Sequence, residues 1–248
     1  MTAPFPSHRQ EDWRYADLDA LKPVWERFAE PVTLTVGAGE SLEEVWMPSS
    51  HDVRLRRVRL ALGDNAKARI FALNIAPVYG RVELEVSLGE SAEFELHAAN
   101  IGAGLSTNEI VTAVKHNGVG GRSRQVIRSV LNGKATGSYL GRVEVARGAQ
   151  QTDAEQSVKA MLLARGATAN CKPELEIFAD DVKCAHGASV GELDAMQLFY
   201  AESRGLDPAS ARALLLEGFV MGLWDSVENA AQRNAICDAA KSALRRVV

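Results

Sequence analysis

The sequence predicts a mainly β body closed by a small helical unit, and three observations predict it. From about residue 32 to 187, apolar and polar residues alternate with period two in run after run, as in strands with one wet face. Turn residues punctuate the runs at Gly63-Asp64-Asn65, Gly89-Glu90-Ser91, Asn117-Gly118 and Asn132-Gly133. Beyond 187 the apolar spacing changes to that of helices.

The chain opens with a Pro-containing polar lead. Trp13, Leu18, Leu21 and Trp25 then form an imperfect apolar stripe, with Pro23 marking a break. The segment 1–31 is expected to be partly helical and to pack onto the main body. Strands follow where Val32, Leu34 and Val36 alternate with threonines, where Val58, Leu60 and Leu62 alternate with Arg59 and Ala61, and again over 82–88 and 94–98. Later candidates are Glu109–Lys115, Ser123–Leu131, Tyr139–Val145, Ser157–Leu163 and Glu174–Phe178. About a dozen short strands with no long helix between them make the stretch 32–187 an all-β body. No strict sequence period is visible, so pattern alone leaves a sandwich and a solenoid both open.

The change near 187 has a local cause. Ser189-Val190-Gly191-Glu192 fits a capping box, with Ser189 as N-cap and Glu192 at N3. Leu193, Met196 and Tyr200 recur at helical spacing, with Phe199 beside them, and Gly205 is placed to end that helix. Asp207-Pro208 starts another as N-cap and N1, with an apolar face of Ala211, Leu214, Leu215, Phe219 and Leu223. A third runs from about Ser226 to Arg246, its basic end suited to the helix dipole. The stretch 188–248 is thus a helical subdomain with a limited core of its own, expected to lean on the β body or on a partner.

Composition bounds the function. The chain is 46% hydrophobic and 24% charged, with a net charge of −4, which is ordinary for a globular protein and carries no nucleic-acid footprint. The basic run Arg54–Arg59 is interleaved with aliphatics and reads as a strand with a solvated face. Three scattered cysteines form no disulfide framework and fit a reducing compartment. The N-terminus has neither the basic start nor the apolar core of a signal peptide, and no apolar run approaches the roughly 18 residues of a membrane span. The expected location is the cytoplasm, with no membrane partner.

The chemistry concentrates at Cys184-Ala185-His186. In an extended backbone alternate side chains share a face, so a thiol and an imidazole point the same way, a donor pair that suits zinc or iron. The bland alternative is a half-buried strand cysteine beside a surface histidine, because two ligands do not close a metal site. Cys171 and Cys237 read as packing residues. His8, His51, His97 and His116 lack a Cys or second His at ligand spacing and read as surface histidines, His97 on the wet face of its strand. Asp180 and Asp181 face opposite sides if extended, so a turn with solvated carboxylates is the better reading. Glu174 and Glu176 read as a wet strand surface. The glycine-rich stretches at 102–104 and 118–122 do not continue into G-K-[ST], so no ATP-binding loop is present in them.

The stretch from Lys172-Pro173-Glu174-Leu175 through Ala179-Asp180-Asp181-Val182, Cys184, His186-Gly187-Ala188, Gly191, Leu193-Asp194, Leu198-Phe199-Tyr200 and Ser203-Arg204-Gly205 to Gly218-Phe219 resembles the C-terminal signature of the SufB/SufD family of iron–sulfur cluster assembly scaffolds, more closely SufD. Glu11-Asp12-Trp13-Arg14-Tyr15, continuing to Leu18, resembles a segment near the start of SufD-type proteins. The family usually has a short polar residue where this chain has Cys171. The resemblance implies that the chain is short for the family and lacks most of an N-terminal helical region.

The resemblance implies a right-handed parallel β-helix over 32–187, capped by the terminal helices. It implies a non-enzymatic scaffold that pairs with SufB near residues 180–187. A nascent iron–sulfur cluster would sit at that contact, with His186 the first and Cys184 the second candidate ligand. It also implies that the helices at about 192–224 dock the ATPase SufC, which would hydrolyse ATP. Two rival readings are a homodimeric metal-binding module using Cys184 and His186 from two chains, and a β-helix enzyme acting on polysaccharide. The low aromatic content, 6%, and the missing secretion signal argue against the second.

Overall fold

The computed structural model describes residues 4–48 and 51–247. The first three residues of the polar lead, Ser49, Ser50 and Val248 lie outside them. Among the described residues twelve strands follow the N-terminal segment: β1 (Val32–Val36), β2 (Ser41–Trp46), β3 (Val53–Leu62), β4 (Lys67–Asn74), β5 (Tyr79–Leu88) and β6 (Glu93–Gly102). They continue as β7 (Thr107–His116), β8 (Arg122–Leu131), β9 (Thr136–Val145), β10 (Asp153–Leu162), β11 (Thr168–Ile177) and β12 (Lys183–Gly191).

Odd strands form one six-stranded sheet and even strands another, and neighbours within each sheet pair parallel. The chain therefore winds as a two-strand-per-turn β-helix, the architecture the resemblance implies. Register partners lie 26 residues apart in the early turns, as Arg57 and Glu83 do, and 32 apart late, as Ser138 and Asn170 do. The repeat is drifting, which is why no strict period shows in the sequence.

One corner of the solenoid is a backbone ladder. Gly39, Asn65, Ser91, Gly120 and Gln151 all adopt positive φ. The amide of Gly39 donates to Asp64 O, Asn65 to Glu90 O, Ser91 to Val119 O, Gly120 to Gln150 O and Gln151 to Asp181 O. Glycines let successive turns approach: a Cβ on Gly63 would stand 2.8 Å from Ala38 N, and one on Gly118 would stand 2.4 Å from Glu90 N. Asp181 closes the ladder as an exposed turn residue.

Inward-facing columns fill the interior. Val58, Leu84, Leu60, Val86, Ile70, Leu96, Val143 and Val158 belong to one continuous core. Burial of this aliphatic surface is the main driving force of the fold, at about 25 cal/mol per Å² removed from water. Further along the axis polar residues enter the same inward phase. His116 stands in the column of Leu88 and Val145 and is fully buried, not a surface histidine as its isolation in sequence suggests.

Outside, both sheets are partly covered. The N-terminal segment forms short helical turns at Glu11–Trp13, α1 (Leu18–Leu21) and Lys22–Arg27. Trp13, Leu21 and Trp25 pack with Leu55 and Tyr79. Arg57 donates to the Phe28 and Ala29 carbonyls and pairs with Glu83 at 2.9 Å. The Arg54–Arg59 run is thus a strand, as expected, but its face is not solvated: the N-terminal segment covers Arg57, and Arg59 alone of the four arginines is exposed.

At the other end come α2 (Ala195–Ser203), α3 (Pro208–Val220) and α4 (Ala230–Val247). Leu216, Val220, Leu223, Trp224, Ile236, Ala240 and Leu244 pack on Phe71, Leu73, Ala99, Ile101 and Val130 of the even sheet, so the helical unit does lean on the β body. The expected face of α3 is shifted, because Leu216 is buried while Leu214 is exposed. Cys237 packs beside this cluster. Gly205 (φ +96°) follows α2, and Asp207 caps α3 with Pro208 at its start, as expected.

The capping box is not formed. Ser189 lies inside β12 opposite Lys159, where ladder pairing takes its backbone. The N-cap of α2 is Asp194, whose carboxylate accepts from Met196 N at 2.8 Å and Gln197 N at 2.9 Å.

Candidate functional site

The site residues sit on the last turn. β12 pairs with β10 along one edge and is the end strand of its sheet. Cys184 lies in register with Ala154 and His186 with Gln156. Both of those partners are buried in the interior, so Cys184 and His186 continue inward-facing columns and share a face. Ala185 falls opposite the exposed Glu155. The alternation inferred from Cys-x-His is the alternation found.

Their surroundings differ. Cys184 is half-buried and packs against the interior core. Burial pushes its thiol above the ordinary range, against a hydrogen bond with the Ala154 backbone that favours the thiolate; Asp153 adds to the rise. His186 is exposed at the open end. It lines, with Gln156, Ser157, Gly187 and Ser189, a cavity of about 370 Å³ between β10 and β12.

A thiol and an imidazole suit iron or an iron–sulfur cluster, but a cluster takes about four protein ligands. Among the described residues no group of three or more His, Cys, Asp or Glu side chains converges to hold a metal. Cys171 does not complete the set: it stands on β11 over Tyr139, packed against the core. The donor pair fits a cluster only as half of a site that a second molecule finishes.

Large apolar side chains stand among the charged ones on the rim of this end. Ile177, Phe178 and Val190 are exposed around the last turn. On α2 and α3, Met196, Phe199, Tyr200 and Leu214 are exposed as well, Met196 at 73% and Phe199 at 66%. These side chains recur at helical spacing yet face away from the protein's own core. Clusters of this kind mark interaction surfaces.

Several buried polar groups escaped the reading of the sequence, and two of them stand out. Beneath Trp13, Arg81 is fully buried, with its guanidinium 3.8 Å from the Trp13 ring centroid. It donates to Glu83 at 2.9 Å and Glu109 at 3.2 Å, and Tyr79 Oη donates to Glu109 at 2.6 Å. Burial pulls Glu83 upward, but Arg81 and Arg57 outweigh it and hold the carboxyl below its usual range. Burial raises Glu109 despite Arg81. The second group is interior. Tyr139 Oη donates to Gln125 Oε1 at 3.1 Å and accepts from Gln156 Nε2 at 2.9 Å. A polar residue in the apolar phase of an alternating strand, as in Ser123-Arg124-Gln125-Val126-Ile127, is the signal that announces it.

His97 and His8 are accounted for locally. His97 is half-buried, stacked on Phe71 and 3.3 Å from Glu95, so its strand face is not wet: the residue beneath it belongs to the cluster that the C-terminal helices cover. His8 bonds the Trp13 carbonyl. Glu174 pairs with Lys172, which also reaches Glu11 of the N-terminal segment at 2.6 Å.

Fold and donor set together define a class: a parallel β-solenoid that carries a thiol and an imidazole on one face of its terminal strand. The chain belongs to the SufB/SufD family, since the family model for the SUF system FeS cluster assembly SufBD core domain matches residues 32–219. Among its relatives is the iron–sulfur cluster assembly protein SufD of Escherichia coli, 28% identical over 79% of this chain and 47% of the relative. A SufBD family protein of Synechocystis is 28% identical over 83% of this chain and 47% of its own length. SufD of Bacillus subtilis is 32% identical over 48% of this chain and 28% of its own length. The relatives are named for iron–sulfur cluster assembly, and among the family's members the chain stands close to SufD. It spans about half the length of the first two relatives. Among the described residues no helix is long and apolar enough to cross a membrane.

Proposed function

We propose that this chain is a SufD-like scaffold subunit of the SUF assembly complex. Its last turn, near residues 180–187, pairs with SufB. Cys184 and His186 contribute to a nascent-cluster site shared across that contact, the cluster being cargo that passes on. The helices at 192–224 dock the ATPase SufC, with Met196, Phe199, Tyr200 and Leu214 supplying the apolar surface. The chain turns over no substrate itself; ATP hydrolysis belongs to SufC. Three free cysteines suit a reducing compartment such as the cytoplasm.

One observation carries this reading. Two soft-to-borderline donors stand on one face of a strand whose outer edge is open, and the set is incomplete without a second molecule. A homodimer would complete it equally well in donor count, so partner identity is the test. Tagged chain is purified from its native host and its partners are identified. Recovery of SufB with an ATPase carrying G-x-x-x-x-G-K-[ST] supports the proposal. Recovery of the chain only with itself, with iron bound, replaces it by the homodimeric module. In the assembled complex His186→Ala should lower cluster yield; unchanged yield rejects the ligand role.

A further inference from the structure

The inward column that ends in His186 changes character along the axis. Its members, from the early turns outward, are Glu44, Ile70, Leu96, Gln125, Gln156 and His186. Ile70 and Leu96 are fully buried aliphatics, and Gln125 and Gln156 are equally buried amides. Burying an amide is unfavourable unless its atoms find partners. Tyr139 serves one atom of each. Gln125 Nε2 and Gln156 Oε1 are left buried and unpartnered.

Gln156 Oε1 is an acceptor in the layer directly under His186. Its amide cannot turn away freely, because Nε2 is tied to Tyr139. Strands in register lie about 4.8 Å apart, and both residues line the cavity between β10 and β12. An imidazole stacked one layer above an amide reaches it by rotating about its own side-chain bonds. We infer that Gln156 is a positioning residue for His186: Gln156 Oε1 accepts a hydrogen bond from one ring N–H. That bond fixes the tautomer and turns the lone pair of the other ring nitrogen toward the open end of the solenoid. Metal-binding histidines are commonly oriented through such a bond from the second ring nitrogen. The two buried amides beneath His186 then have a purpose at the end of the column where the imidazole meets solvent.

This inference rests on the proposed role of His186 as a ligand, and its test is run without metal. The whole chain, labelled with 15N-histidine, is examined at alkaline pH by long-range 1H–15N correlation. The ring-nitrogen shifts of His186, assigned with His186→Ala, report its tautomer. The wild-type chain should show one dominant tautomer. Gln156→Met, of the same length but without the carbonyl, should relax His186 to the mixture of a free imidazole, and Gln156→Glu, which keeps an acceptor, should restore one tautomer. A wild-type spectrum that already shows the free mixture overturns the inference, as does a Gln156→Met spectrum identical to wild type. If Gln156→Met does not fold, Gln156→Asn withdraws the carbonyl by one methylene and is read the same way.

In the assembled complex the Met variant should weaken binding of added Fe2+ about 10–100-fold. A fixed tautomer combined with undiminished cluster yield in His186→Ala would remove the ligand role and leave the hydrogen bond standing. A mixed tautomer combined with lost yield would do the reverse.

Discussion

Tyr139 lies back along its own strand over Gly141: a Cβ at position 141 would stand 2.0 Å from Tyr139 Oη. The absent side chain is what lets a tyrosine fit inside a solenoid two sheets thick. Its buried hydroxyl, with the pKa pushed up by burial, holds Gln125 and Gln156.

Gly141→Ala should therefore destabilise the chain by roughly 3 kcal/mol or more, since overpacking and lost amide partners add. Denaturant titration measures this. Combining it with Tyr139→Leu should cost less than the sum of the single changes, because neighbours that clash are not additive. Strict additivity would mean that the two residues do not share space.

His116 should impose a pH dependence on stability. It is buried, with Nε2 2.9 Å from Ser123 Oγ, and burial lowers its pKa to about 4. In the unfolded chain the imidazole takes up a proton near pH 6.5. The folded value lies below the unfolded one, so its contribution is intact above about pH 6.5. It is lost as pH falls towards 4, by up to about 3 kcal/mol. His116→Gln, neutral throughout, should flatten this part of the stability curve; parallel curves for both proteins would contradict the assignment.

Glu83 bridges Arg57 and Arg81, both shielded by the N-terminal segment. Glu83→Ala leaves two guanidinium groups without their shared partner and should cost about 3–5 kcal/mol. Trp13→Ala should make Arg81 accessible, visible as faster proteolysis of residues 4–30 at unchanged α-helical content of the C-terminal unit.

On α2, Phe199→Ser should leave unfolding free energy within about 0.5 kcal/mol of wild type, because the ring is exposed. If these helices dock the ATPase as proposed, the same change should abolish its co-purification. A large loss of stability would show that the ring supports the fold instead.

Cap assignment is also measurable. Asp194→Ala should cost about 1 kcal/mol of local helix stability, whereas Ser189→Ala, on the exposed end strand, should cost little.

Most strand positions and the Cys184/His186 face were legible because alternation in run after run leaves few other solutions; β2 and β4, which lack a clean apolar–polar alternation, were not. The solenoid was not legible from pattern, yet its repeat is written at the corners. Gly63, Gly89 and Gly118 each approach the backbone of the turn before, at Ala38, Asp64 and Glu90, at spacings that drift as the turns lengthen. A search for a constant period passes over them. Covering by other segments was equally hidden: nothing local to Val53–Leu62 says that Phe28 and Ala29 will sit on Arg57. His116 was misplaced because an isolated histidine looks like surface until its phase is compared with Leu88 one turn earlier. Ser189 satisfied a short-range capping rule that pairing with β10 overrode.

Each turn of the β-helix touches only the turns beside it, and the rung that carries Cys184 and His186 has a neighbour on one side alone. Such a rod frays from its free end, so amide exchange should be fastest along β12 and slow stepwise toward β6. A molecule that docks on the last rung would supply the missing neighbour and halt the fraying. Recognition at this end would then register as protection spreading inward along the whole stack, several turns from any atom the docked molecule touches.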